Sequence, residues 1–485
     1  MLLHLQKDNS RSLFVHKLMI KMDLPRQVKI SNYGLTKTSS VFLLQPKNLV
    51  ELKNCIVHAK KNQLQISIKG SGNSYADVFF SQNQLLIDTS FLNSIKDFDS
   101  DNGIITVETG VQINDLLYLI MPKNWTLVGL SGSVTDKIGG MMSSNTHGKD
   151  SWQNGNFIEN IISFKILLEN ESILEVSKEK NSELFYAVIG GLGLFGIIYE
   201  IVLKLKSIPS YMLEHFSKNT NNVHESIAHF NSLENSDIDF SYCLIDSFSK
   251  GNSLGAGVCE SAKFIDMDNS SLNNFKKSLK PNSKIFSLKP ESFWSLARPF
   301  WNNSTCNLLN KSRSLRSSIL KGKKTFLSFP EYQYPYTKYP KFNLIYGDCG
   351  FIEFQIIFSK INFPDALEEL LTKSHHFGVP PWICMMKKLK PDNSFLSFSG
   401  DGFSVSINFP VSYLLPQLTE KYCNEILEII LKYNGKTYIS KSSYLPKSIF
   451  QEMYPNYKKI ISIKSKYDPN QIFYSDSTIR LFMDN

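Results

Sequence analysis

Two short glycine turns constrain this chain more than any other feature. The first reads Ser67-Ile68-Lys69-Gly70-Ser71-Gly72-Asn73-Ser74-Tyr75. The second passes Gly132-Ser133 and runs from Gly139-Gly140-Met141-Met142-Ser143-Ser144 to Asn145-Thr146-His147-Gly148. Each follows an apolar, strand-like run. Glycine lets a backbone turn sharply and lets its N–H groups reach an anion. A lone turn of this kind is common; the pair predicts two loops that grip one large, twice-phosphorylated ligand from two sides.

Around these turns the chain reads as short, mixed elements. Residues 41–44 predict a strand, Pro46 suits a helix start, and Leu49, Leu52, Ile56 and Ala59 recur at helical spacing to about residue 61. Residues 65–68 return to strand, so the first glycine turn closes a β-α-β unit. Strands are predicted over 85–88, 104–108, 161–168, 173–176 and 197–205, and a helix over 113–120. Short strands and helices in this mixture imply an α+β fold rather than a regular doubly wound sheet. A length of 485 residues favours two domains. The composition shifts at Pro209. Beyond it, aromatic strand-like runs at 351–358 and 403–409 and amphipathic helices at 364–374 and 418–433 predict an antiparallel sheet flanked by helices. Residues 435–440 predict a strand and 450–463 a helix. The division expected is an extension over 1–22, a first domain over 23–209, a second over 210–435, and a segment over 436–485 that returns to the first.

Composition narrows the function classes. Seven cysteines are dispersed with no C-x-x-C pair, which excludes a zinc knuckle or dithiol motif and fits a reducing compartment. No run of 18 apolar residues predicts a membrane span, and charges at Lys7, Asp8, Arg11, Lys17 and Lys21 interrupt any leader core. The net charge of +9 favours anionic partners in general. Residues 276–324 are far more basic than the rest: Lys276, Lys277, Lys280, Lys284, Lys289, Arg298, Lys311, Arg313, Arg316, Lys321, Lys323 and Lys324 against the single acid Glu291. Phe286, Phe293, Trp294, Phe300 and Trp301 are interleaved. Such a segment is either a solvated loop or a surface for an anionic lipid interface. No nucleic-acid module surrounds it.

Gly191-Leu192-Gly193-Leu194-Phe195-Gly196 fits G-x-G-x-x-G, but residues 197–205 alternate like a strand where a dinucleotide fingerprint requires a helix. A nicotinamide site is therefore not expected there.

The paired turns resemble the FAD-binding domain of the vanillyl-alcohol-oxidase class of flavoproteins. Within that class, GNSYADVFFSQNQLLIDTSFLNSI, GGMMSSNTHGKD, ELFYAVIGGLGLFGII, GFIEFQIIF and DPNQIFYSDSTIRL resemble the decaprenylphosphoryl-ribose oxidase family over about residues 28–481, with 215–330 weakly matched. The resemblance implies FAD held by Lys69, Gly70, Ser71, Gly72, Asn73, Ser74, Gly132, Ser133, Gly139, Gly140, Ser143, Ser144, Ile197 and Tyr438. Many members of the class attach FAD through a His at the position of Asn73. An amide nitrogen cannot serve as that nucleophile, so non-covalent FAD is expected.

The resemblance also implies catalysis by Lys441 and His147. A cation from Lys441 beside the flavin would stabilise the charge that develops as hydride reaches it, and a desolvated lysine would also accept the hydroxyl proton. Lys149, Gln355, Lys387, Ser406 and Glu353 are the implied substrate contacts. Ser406 stands where the family has cysteine, Glu353 where it has glutamine, and Leu244 where it has tryptophan, which points to a different sugar. The activity implied is oxidation of a secondary alcohol of a lipid-linked or free sugar to a ketone. The alternative is an aldonolactone or alditol oxidase acting on a small soluble sugar. A short-chain reductase acting on the keto product is the implied partner. The implied location is cytoplasmic and peripheral at the inner membrane, against an anionic surface, without nucleic acid.

Overall fold

A computed structural model describes residues 25–267, 272–320 and 322–483. The expected extension over 1–22 lies outside the described residues. The first domain carries two sheets. Strands β1 (Arg26–Ser31), β2 (Thr38–Leu44), β3 (Ile66–Lys69) and β4 (Leu85–Asp88) lie in the order β1-β2-β4-β3. The pairs β2–β4 and β3–β4 are parallel. Helix α1 (Leu49–Lys61) makes the crossover between β2 and β3. Its N-cap is Asn48, whose side chain accepts from the Glu51 N–H, and it buries Leu52, Cys55, Ile56 and Ala59.

Strands β5 (Ile95–Asp99), β6 (Ile104–Glu108), β7 (Trp125–Thr126), β8 (Ile161–Leu167), β9 (Ile173–Ser177), β10 (Ile197–Lys204) and β11 (Lys206–Ser207) follow. β7 pairs with β11, and the others form an antiparallel sheet, β5-β6-β10-β8-β9. Helix α2 (Ile113–Ile120) buries Ile113, Leu116, Leu117 and Ile120. Helix α3 (Ile138–Ser144) carries the second glycine turn. A Cβ on Gly139 would clash with the Thr109 side chain and stand 3.0 Å from its carbonyl oxygen, so glycine lets α3 start close against the end of β6.

The second domain is built on β12 (Met212–Thr220), β13 (Phe240–Ile245), β14 (Gly257–Phe264), β15 (Thr325–Ser328), β16 (Phe351–Ser359), β17 (Cys384–Leu389), β18 (Gly402–Pro410) and β19 (Lys436–Thr437), in the order β15-β12-β14-β13-β17-β18-β16-β19. All its pairs are antiparallel. Helices α4 (Val223–Ser232) and α6 (Phe363–His376) cover one face: Phe230 and Phe363 both pack on Phe403 of β18. Between them in sequence lies α5 (Asn303–Ile319), and α7 (Pro416–Lys432) packs beside α6. The architecture is the expected α+β, two-domain one.

The chain after β19 goes back to the first domain. Ile66 bridges Phe473, and Arg480 donates to both carboxylate oxygens of Asp77 at 2.9 and 3.1 Å. Two expectations fail here. The strand expected over 435–440 stops at Thr437, and Ile439–Lys441 form a 3₁₀ turn. Tyr438 causes the bend, because its hydroxyl is anchored on the Ser144 carbonyl at 2.8 Å. The helix expected over 450–463 is two helices, Lys447–Met453 and Tyr457–Tyr467. Pro455 separates them, since it has no N–H and forces Tyr454 out of the helical region. The fold also joins Cys243 and Cys259, directly opposed on β13 and β14, in a disulfide, which runs against the expected reducing compartment. No helix among the described residues is long and apolar enough to cross a membrane.

Candidate active site

The two glycine turns meet. A Cβ on Gly70 would lie 3.6 Å from the Gly140 Cα, so the two backbones are in contact. Asn73 ties them together: its Nδ2 donates to Asp136 Oδ1 at 2.6 Å and to Ser133 Oγ at 3.1 Å. Ser71 Oγ donates to the Thr135 carbonyl at 2.6 Å, and Lys137 Nζ to the Gly70 carbonyl at 3.0 Å. Asn73, where the resemblance implies a covalent anchor in other flavoproteins, is thus an amide already engaged with the opposite loop.

These loops floor a cavity of about 820 Å³ whose opposite wall is the second domain's sheet. Alternation along the strands makes that wall polar, since every second side chain faces one way. Glu353 and Gln355 of β16, Ser406 and Asn408 of β18, and Met385 and Lys387 of β17 line it. The register places Gln355 opposite Ser406 and Ser406 opposite Met385. The intervening Phe354, Ile356, Val405 and Ile407 are buried in the hydrophobic core. Lys441 enters through the 3₁₀ turn. Its Nζ donates to Glu353 Oε1 at 2.6 Å and lies 4.6 Å from the Tyr75 ring centroid. Glu353 Oε2 accepts from Asn408 Nδ2 at 3.5 Å.

His147 is buried beside Phe398 and Tyr438, with ring centroids 5.5 Å from each. Burial, with Lys387 and Lys441 nearby, holds its pKa well below the usual imidazole value, so the ring is neutral at physiological pH. The nearby Gln355 side chain opposes that shift, and among the described residues neither His147 Nδ1 nor Gln355 Oε1 completes a hydrogen bond. Lys387 is pushed down to about 8, first by burial and then by Lys441.

The cavity brings together Gly70, Ser71, Gly72, Asn73, Ser74, Gly132, Ser133, Gly139, Gly140, Ser143, Ser144 and Tyr438 with His147, Lys441, Glu353, Gln355, Lys387 and Ser406. Three expected contacts lie off its lining. Lys69 turns to Asp88, at 3.0 Å. Ile197 sits in the core with Ile66, Leu85 and Ile87, while its neighbours Gly196 and Ile198 face the cavity. Lys149 donates to the Tyr332 carbonyl at 2.6 Å between the rings of Tyr242 and Tyr332. Burial lowers its pKa to about 7. Asp136, which receives Asn73 and also Ser131 Oγ at 2.5 Å, was not singled out from the sequence. Its signal is an acid set among serines and threonines between two glycine turns. Burial raises its pKa, and the hydrogen bonds from Ser131 and Asn73 oppose that.

The residues present fit FAD. Gly132 and Gly140 have nothing within 4 Å of where a Cβ would stand, so both loops leave open space for a ligand. Beside them, the unpartnered Nδ1 of His147 and Oε1 of Gln355 await hydrogen bonds that a ring system or substrate can supply.

Comparison with known proteins gives the same direction. Residues 41–177 match the FAD binding domain family, and residues 362–481 match the D-arabinono-1,4-lactone oxidase family. The chain is 25% identical over 423 residues to decaprenylphosphoryl-beta-D-ribose oxidase of Mycolicibacterium smegmatis, covering 85% of this chain and 88% of that protein. It is 21% identical over 444 residues to L-gulono-1,4-lactone dehydrogenase of Mycobacterium tuberculosis, covering 90% and 95%. It is 26% identical over 160 residues to the mitochondrial L-galactono-1,4-lactone dehydrogenase of Arabidopsis thaliana, covering 33% and 26%.

Proposed function

The chain is an FAD-linked oxidase of the vanillyl-alcohol-oxidase class, within the sugar and lactone oxidases that act on CH–OH groups, and on that premise we propose that it oxidises a secondary alcohol of a polyprenyl-phosphate-linked pentose to the ketone. FAD, when bound, supplies the two-electron acceptor for the hydride that leaves the carbinol carbon. The remaining work falls to side chains of this protein.

His147 is the neutral acceptor in the cavity. Its Nδ1 is unpartnered and can take a hydrogen bond, then the proton, from a substrate hydroxyl. Lys441 is committed to Glu353 through one N–H, and its remaining donors are free to stabilise negative charge that develops beside it. Gln355 and Ser406 present an amide and a hydroxyl side by side across the sheet, a surface suited to a polyol ring. Lys387 has no ion-pair or hydrogen-bond partner among the described residues and offers its ammonium to an anionic group of the substrate. The aromatic residues Tyr33, Tyr75, Phe351 and Tyr346 close the adjoining wall and exclude water. Asn73, engaged by the opposite loop, leaves FAD dissociable.

One observation carries the reading: the polar face of the sheet looks across the cavity at the floor of glycine turns, with His147 and Lys441 between them. The lipid-linked sugar is supported by the long alignment with the decaprenylphosphoryl-ribose enzyme. The match of residues 362–481 to D-arabinono-1,4-lactone oxidase supports the second reading, a small aldonolactone substrate. A keto product then calls for an NAD(P)-dependent reductase as the next enzyme. Anaerobic mixing with polyprenyl-phosphate-linked pentoses, free pentoses and aldonolactones separates these readings. Bleaching of the flavin by the lipid-linked sugar is the expected result, and bleaching by lactones alone would replace it with the second reading.

A further inference from the structure

Helix α5 is amphipathic the wrong way round for a core helix. At 3.6 residues per turn, Cys306, Asn310 and Ser317 fall on one side and Leu308, Leu315 and Ile319 on the opposite one. The first set faces the protein. Cys306 and Ser317 are buried, and Asn310 Nδ2 donates to Asp246 Oδ1 at 3.1 Å. The flanking Asn303 accepts from Trp382 Nε1 at 2.9 Å. The second set faces outward: Leu308, Leu315 and Ile319 are 66%, 64% and 63% exposed. Lys311 lies on one flank of this aliphatic stripe and Arg316 on the other, both exposed. Phe300, 75% exposed, lies just ahead of the helix, and its carbonyl accepts from Thr305 Oγ1 at 2.6 Å.

We infer that this face of α5 docks on an anionic lipid surface. Exposed large aliphatics aligned along one helix face need a cover. The charge around them chooses it. The segment from Lys276 to Lys324 holds one acid, Glu291, and that acid is already paired with Lys341. A second copy of the chain would therefore bring like charge against like charge, whereas a membrane of acidic phospholipids complements the basic flanks and takes up the aliphatic stripe. The basic segment that carries α5 also reaches the cavity wall. Trp294 of the same segment donates from Nε1 to the Pro340 carbonyl at 2.8 Å, and its ring packs on Phe342. Pro340, Lys341 and Phe342 line the cavity, as does Pro281 from within the basic segment. The docking itself rests on the helix surface and stands whichever sugar is oxidised.

The test is co-sedimentation of the full-length, flavin-loaded protein with vesicles of phosphatidylglycerol and phosphatidylcholine, against phosphatidylcholine alone. Binding is expected only with the anionic lipid and is expected to weaken as salt rises. L308S/L315S/I319S, all on exposed positions, should lower the bound fraction about tenfold or more while the flavin spectrum stays unchanged. K311E/R316E should lower it through charge alone. Equal binding to neutral vesicles, or full binding by both variants, would overturn the inference. So would a dimer in light scattering that becomes a monomer on L308S/L315S/I319S, because that assigns the stripe to a second copy.

Discussion

Replacing Lys441 by Met separates its ion pair with Glu353 from the role in catalysis proposed for it. Lys441 Nζ sits 2.6 Å from Glu353 Oε1. At an effective dielectric near 20, that separation corresponds to about 6 kcal/mol of gross attraction. The cost of desolvating both groups offsets much of this, since Glu353 is 6% exposed and Lys441 24%. A net coupling of about 2–3 kcal/mol follows, within the range measured for partly buried pairs. Lys441→Met leaves Glu353 with only the long contact from Asn408, and about 3 kcal/mol of stability should be lost. Glu353→Gln keeps an acceptor for Lys441 and should cost about 1 kcal/mol. The double variant K441M/E353Q removes both charges and should recover most of the stability lost in K441M. The rate behaves differently. Loss of a preorganised donor at developing charge costs about 10²–10³-fold, so flavin reduction should be slowed by that factor in K441M and equally in the double variant, and by less than tenfold in E353Q. Denaturant midpoints report the first quantity and anaerobic stopped-flow bleaching the second. Near-wild-type reduction in the double variant would remove Lys441 from the chemistry. Failure of E353Q to rescue the stability of K441M would refute the ion pair.

Four further outcomes follow from the same site. Lys149 and Lys387 have folded-state pKa values lowered to about 7 and about 8, so the unfolded chain binds more protons above those values and stability should rise with pH. Urea midpoints of the apoprotein should increase between about pH 7 and 8.5, and a flat or falling profile would contradict the burial of both lysines. Because His147 is held neutral, the rate of flavin reduction should show no protonation step near pH 6.5 and should fall only in more acid solution; a step at the ordinary imidazole value would place His147 in water. Acid precipitation should release all flavin to the supernatant, since Asn73 supplies no covalent link; yellow colour in the pellet would show otherwise. Gly140→Val, which puts a branched side chain into open cavity space, should weaken FAD affinity at least tenfold in a fluorescence titration of the apoprotein while leaving far-UV circular dichroism unchanged.

Much of this architecture was legible in the sequence because local pattern and tertiary demand agree. The helix at 113–120 and the strands at 85–88 and 104–108 were read to the residue, the helix from its apolar spacing and the strands from short apolar runs. The same rule misled where a single residue overrides the period. Pro455 divides an otherwise continuous helical pattern, and Tyr438 bends a strand by reaching for a carbonyl nearly three hundred positions away in the chain. The site was legible as residue types but not as neighbours. Lys69 and Lys149 stand beside the glycine turns in sequence, yet each is drawn away by a partner that only the fold supplies, Asp88 in one case and main-chain carbonyls in the other. Ile197 misses the cavity by one residue of strand alternation, and Ile198 faces it instead. Glu353 stood out as a departure from the glutamine that the resemblance implies, but its pairing with Lys441 depends on a return of the chain end that no local pattern announces.

An X-ray structure of the flavin-loaded protein tests the central claim most directly. Electron density for the FAD pyrophosphate against the backbone of Gly70–Asn73 and Gly139–Gly140, with the ring between His147 and the Gln355–Ser406 face and Lys441 Nζ at its edge, is the result predicted. Flavin density elsewhere, or Lys441 turned to solvent with Glu353 unpaired, would contradict it.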